Sequence, residues 1–225
     1  MNIAMVSRLI CKDWYLNRVG ILASLFAGVV TLGMVAAMHR SQLALILGVI
    51  VVVTILIGMG AMVMISAANE RRQQTLPFVL TLPISYREYT TAKIVGGMLI
   101  FLVLWVALVA DIVATILLTP GFPHGLIPFV VIMAVEILMS TCLITAVSVT
   151  TEAHGWTVAS AQVGALSLNV IGWSIVRLPE IGGSMKSTTV QWGGTATTLV
   201  AAELATIVFM LLITFFVQAH KKDFI

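Results

Sequence analysis

Three acidic residues stand inside long apolar runs: Asp111, Glu136 and Glu203. A carboxylate in such surroundings costs several kcal/mol unless it is neutralised, paired or turned toward water, so each marks a functional position by default. At 1.5 Å per residue, Glu136 falls near the middle of its run, and Asp111 and Glu203 fall in the outer halves of theirs. Two uses fit this pattern. The acids line a path for cationic or amphipathic cargo, or they hold helices together as protonated or hydrogen-bonded groups, with Arg177 as a partner near the outer boundary. Elsewhere reactive chemistry is sparse. His39, His124 and His154 fall at boundaries between runs and His220 in a basic tail, while Cys11 and Cys142 lie in different kinds of segment with no CxxC spacing. That leaves no metal motif and no expected disulfide. No Ser/His/Asp or Cys/His arrangement suits nucleophilic catalysis, and no GxxxxGK[ST] loop is present to cradle phosphates.

The segments that position these acids are dictated by solvent. The chain has 225 residues, 60% hydrophobic and 9% charged, where a water-soluble domain carries about 25% charged residues. So few charges cannot cover a water-facing surface. A bilayer core about 30 Å thick takes about 20 apolar residues per helix, and six runs qualify: 19–38, 43–65, 94–118, 126–147, 156–176 and 195–217. Backbone groups in hydrocarbon must be satisfied within their own segment, so the runs are expected as helices. Only His39, Arg40, Ser41 and Gln42 separate the first two, a tight hairpin. Pro120, Gly121 and Pro123 break the third from the fourth.

Basic residues set the orientation. Arg8, Lys12, Arg18, Arg71, Arg72, Arg87, Lys93, Lys221 and Lys222 fall on one side, against Arg40, Arg177 and Lys186 on the other. The bias puts both termini in the cytoplasm. The expected fold is therefore all-α: one transmembrane domain over 1–225, with spans 1–2 in 19–66, a cytoplasmic loop at 67–93, spans 3–4 in 94–147, spans 5–6 in 148–217, and a tail at 218–225.

Two non-spanning segments add detail. In residues 1–18, Ile3, Val6, Leu9, Ile10 and Trp14 share one helical face, with Ser7, Arg8, Lys12 and Tyr15 opposite. This predicts an amphipathic helix lying at the cytoplasmic interface. The loop 67–93 opens with Asn69-Glu70-Arg71-Arg72 and then turns apolar through Leu76, Pro77, Phe78, Leu80, Leu82 and Pro83. Ser85 and Glu88 follow with the spacing of a capping box. A helix starting there runs past Arg87 and Lys93 into the third span.

At this loop the chain resembles the permease family of type-2 ABC exporters. The resemblance rests on six spans, the Glu70-Arg71 pair closing the second helix, the stretch from Leu76 to Leu82, the Leu82-Pro83 step, the turn Ser85–Glu88, and Lys93. Pro77 departs from the pattern. The motif covers about 25 residues, while the topology covers the chain. The resemblance implies that Glu70, Arg71, Leu76, Phe78, Leu80, Leu82, Pro83, Arg87 and Glu88 form a coupling helix seated in a separate cytoplasmic ATP-binding subunit, present in two copies. ATP and Mg would be bound there, with no cofactor in this chain, and a second permease, identical or related, would complete the transporter in the cell membrane. Nucleic acid has no place in this arrangement.

Small residues mark packing seams: Ser24 with Gly28, and Ser160 with Gly164, at a spacing that lets helices approach closely. The resemblance implies that these two spans meet across a permease dimer. Gln162 and Asn169 either bond across that seam or line a path. The outer loop 178–194, with Pro179, Glu180, Lys186 and Trp192, is either a re-entrant gate or a plain loop. The rival to an export permease is a stand-alone channel, secondary carrier or membrane-embedded enzyme.

Overall fold

The computed structural model describes residues 3–38, 47–60, 86–151 and 153–220. Among these residues the backbone is helix, turn or irregular, with no strand. The α-helices are α1 (Ile3–Ala37), α2 (Leu47–Gly60), α3 (Tyr86–Leu118), α4 (Ile127–Thr151), α5 (His154–Arg177), the short α6 (Pro179–Gly182) and α7 (Gly194–His220). Their ends follow local chemistry. After α3, Gly121 takes a positive φ of 97°, a left-handed turn that glycine adopts without steric penalty. Pro179 forces Leu178 out of the helical region, to φ −69° and ψ 123°. That stops α5 at Arg177 and starts α6 with proline at its first position.

Contacts between helices fix their relative directions. Gly96 of α3 faces Ile10 and Asp13 of α1, and Gly28 faces Leu108, so α1 and α3 run side by side in the same sense. Gly48 of α2 lies against Val35 and Thr31, while Gly60 lies against Thr141 and Phe101, so α2 runs the other way. Helix α4 is antiparallel to α3, with the Trp105 indole donating to the Ala134 carbonyl at 2.8 Å. It is also antiparallel to α5, where Gly172 meets Met133 and Gly164 meets Ser140. Helix α7 follows α4, pairing Ala196 with Ile132 and Ile207 with Cys142. Successive long helices thus alternate, and the start of α1 and the end of α7 lie at the same end of the bundle.

The centre of the bundle is α4, whose apolar window is 61% buried against 17–28% for the other long helices. Its core joins Ile21, Leu56, Phe101, Leu104, Leu108, Ile137 and Leu168 from five helices. The outer faces are apolar as well, including Phe26 on α1, Leu166 on α5, and Phe209 and Phe216 on α7, all exposed. Exposed Trp156 and Trp173 sit 17 residues apart on α5, about 26 Å along the axis. That separation is close to the hydrocarbon thickness of a bilayer, whose interfaces favour tryptophan.

Five helices are long and apolar enough to cross a membrane. They correspond to five of the six expected runs, and the remaining run, 43–65, is represented by the apolar helix Leu47–Gly60. The N-terminal expectation needs correction. Residues 3–37 form one uninterrupted helix instead of an interfacial helix followed by a separate span. Nothing between Ile3 and Ala37 forces a break, since there is no proline and the isolated Gly20, Gly28 and Gly33 are tolerated in a helix. Basic and aromatic groups still share the lower part of α1, where Arg18 lies 3.9 Å from the Tyr15 ring centroid and bonds its hydroxyl at 3.1 Å. Most of the expected coupling segment (Glu70, Arg71, Leu76, Phe78, Leu80, Leu82 and Pro83) lies outside the described residues. Arg87 and Glu88 fall in the first turn of α3, which runs unbroken past Lys93 as expected.

Candidate functional site

The middle of α4 carries Glu136, whose side chain is fully buried. Helix α4 is the most enclosed of the long helices, and most of its apolar window is buried against neighbours. The face holding Glu136 meets α5, where the Ser167 hydroxyl approaches one carboxylate oxygen, Oε1, to 2.6 Å. The same hydroxyl lies 2.9 Å from the Gly164 carbonyl of its own helix, so its single proton serves one of the two acceptors at a time. The second oxygen of Glu136, Oε2, is buried without a hydrogen-bond partner.

Helix α7 brings Glu203 to the same level. Its side chain is 7% exposed and its Oε2 is buried without a partner, and the packing of Ala196 with Ile132 and of Ile207 with Cys142 sets its position on α7 beside the middle of α4. Asp111 on α3 is half-buried, with Oδ2 also unpartnered. Three helices therefore contribute carboxylates to one apolar bundle. The expected partner Arg177 is elsewhere: it is exposed at the end of α5, 5.3 Å from the centroid of the Trp173 ring. Ten residues separate it from Ser167, about 15 Å of helix, so its guanidinium does not serve the Glu136 carboxylate.

Beside this level, a small cleft opens between α2, α4 and α5, lined by Ile57, Ser140, Thr141, Ala161, Gly164 and Leu168 among others. At its floor Gly164 lets α5 come close to α4. A Cβ there would lie 3.0 Å from the Ser140 Cβ. Gly28 similarly admits Leu108. Both glycines of the expected seams are thus occupied by helices of the same chain. Ser160 is buried and bonds the Thr157 carbonyl at 2.8 Å, and Ser24 is half-buried. Gln162 and Asn169 instead project from the outer face of α5, with the Asn169 amide turned back onto the Ala165 carbonyl at 2.8 Å.

The end of the bundle where α5 stops is closed by the turn that follows it. Gly125 donates to the Ser187 carbonyl at 3.0 Å, and Ile181 and Ser184 are buried beneath. Glu180 reaches the start of α7, where its Oε2 accepts from the Thr195 amide at 3.3 Å. Hydrogen bonds from the Thr195 side chain and then its backbone hold the Glu180 carboxyl below the usual glutamate range. This is the favourable placement of an anion at a helix N-terminus.

Sequence reasoning found the three acids but missed Ser167 and the capping by Glu180. Neither partner is legible in sequence: Ser167 lies 31 residues from Glu136, and Glu180 15 from Thr195. Chemically, the site offers acceptors in an apolar interior, and among the described residues no group of three or more His, Cys, Asp or Glu is arranged to hold a metal. No family model, curated protein or solved structure matches the chain.

Proposed function

We propose that this chain is a six-span integral membrane protein of the cell membrane, both termini cytoplasmic, acting as the permease subunit of an ATP-driven exporter. Hydrolysis would take place in a separate cytoplasmic subunit holding ATP and Mg, two copies of which would serve two permeases. The cargo would be an amphipathic peptide, drug or lipid taken from the cytoplasm or inner leaflet, with Asp111, Glu136 and Glu203 along its path. Outward-facing apolar side chains and the tryptophan spacing on α5 support the membrane part. The observation that carries the reading is the parallel pair of α1 and α3. Both begin at the end where the segment 67–85, with its Glu70-Arg71 pair and its leucines, enters α3. A partner gripping that segment would act directly on two packed helices.

The test is co-purification with a candidate ATPase encoded alongside. Stable assembly, lost in Leu80→Asp or Leu82→Asp, is the expected result. The buried acids also suit a secondary carrier. Nucleotide-independent solute transport by the chain alone in liposomes would decide for that rival.

A further inference from the structure

Glu136 and Glu203 are more than nine-tenths buried, come from different helices, and each keeps an oxygen without a hydrogen-bond partner. Two unpaired anions in a dry interior carry a desolvation penalty of several kcal/mol each, so positive charge must reach them. Among the described residues, none brings it. Helix α4 has no basic residue, α5 has His154 and Arg177 only at its ends, and α7 has His220 only at its last position. On the helices packed outside these, α2 is wholly apolar but for Thr54. Helix α3 adds Asp111 toward its end and has Arg87 and Lys93 near its start; α1 carries Arg8, Lys12, Asp13 and Arg18 in its lower half. The other ionisable group beside α7 is the Cys142 thiol, buried against Ile207.

Protonation alone is an incomplete answer. A carboxylic acid donates one hydrogen bond, and among the described residues no acceptor stands at either orphaned oxygen. Helix adhesion alone would be served equally well by apolar residues, which replace buried charge at little cost.

We propose that Glu136 and Glu203, with Ser167 steadying the first, form a binding site for one monovalent cation between α4, α5 and α7. The cation is either a free inorganic ion or the ammonium group of a cargo molecule, and binding it releases one proton when the pair is protonated beforehand. The site extends the cargo-path reading of the acids, and it does not require the ATPase.

The test uses the full chain alone in lipid nanodiscs and a hydrophobic carbodiimide, which forms an adduct with a carboxyl only in its protonated form. Adducts are mapped by mass spectrometry with sodium chloride or tetraethylammonium chloride present, each against sucrose at equal osmolarity. The expected result is an adduct at Glu136 or Glu203 that sodium or tetraethylammonium suppresses. Protection by sodium assigns a free ion, and protection by tetraethylammonium assigns a cargo ammonium. In Glu136→Gln, where the amide can still accept from Ser167, labelling of Glu203 continues and cation protection is lost. Glu180→Gln, at the end of the bundle where α5 stops, leaves the pattern unchanged. Absence of adduct at both residues, or an adduct indifferent to both cations, overturns the proposal. Either outcome leaves the assembly test with Leu80→Asp unaffected, so the two readings fail separately.

Discussion

The contact between Ser167 and Glu136 allows a quantitative test of how the bundle is held. At 2.6 Å it falls in the range of charge-assisted O–H···O bonds, which are roughly twice as strong as neutral ones. Interhelical hydrogen bonds in membranes average about 0.6 kcal/mol and reach about 1.7. Doubling the average, with Glu136 fully shielded from water, predicts a coupling of about 1–1.5 kcal/mol, or roughly a tenfold change in the folding equilibrium. The cycle consists of Ser167→Ala, Glu136→Leu and the double variant, each unfolded by sodium dodecyl sulfate in mixed micelles and followed by helical circular dichroism. Ser167→Ala is expected to destabilise the natural chain by that amount. Glu136→Leu should be neutral or stabilising, since it removes a buried unpartnered oxygen. In the leucine background, Ser167→Ala should change little. A coupling below about 0.3 kcal/mol, half the membrane average, would show that the hydroxyl proton serves Gly164 and that the reasoning is wrong.

Three further outcomes are expected. Gly125→Ala puts a methyl group against the Ser184 backbone carbonyl, which cannot rotate away, so a loss of about 1–3 kcal/mol and faster proteolysis within 179–193 are expected. The Glu180 carboxyl is held below its ordinary value. Its support of α7 is therefore complete above the unfolded value of about 4.3 and is lost as the pH falls through the folded one. Hydrogen exchange at Thr195 should accelerate in that acid window, and in Glu180→Gln the acceleration should disappear. Cys11 is exposed and Cys142 buried, so a maleimide should modify Cys11 in intact membranes and Cys142 only after denaturation. Equal modification of both would contradict the central placement of α4.

The helices were legible in sequence because solvent dictates them: a run of about 20 apolar residues has one way to satisfy its backbone in lipid. Breaks at Pro120, Gly121 and Pro179 were equally legible, each arising from a single residue's own dihedral limits. Faces were harder. With apolar side chains pointing both to lipid and to neighbours, as on α1 and α7, hydropathy does not separate Phe26 from Ile21. For the same reason, small-residue spacing at Gly28 and Gly164 announced close approach without saying which helix approaches. The amphipathic pattern of residues 3–15 was real in the sequence. It failed as a guide to a separate element because continuing the helix into residues 19–37 costs no hydrogen bond. The acids were legible as anomalies, their partners were not, and Arg177 lies too far along its helix to serve Glu136.

The length of α1 has a mechanical consequence. Its 35 residues measure about 52 Å against about 30 Å of hydrocarbon, and containing them would need a tilt steeper than the roughly 40° seen at the extreme. Part of this rod must overhang the bilayer, braced along its flank by α3, itself 33 residues long. Two stiff rods bound together act as a lever with its fulcrum at the lipid boundary. A push on the overhang turns the buried portion by the same angle, because no joint in the rod absorbs it.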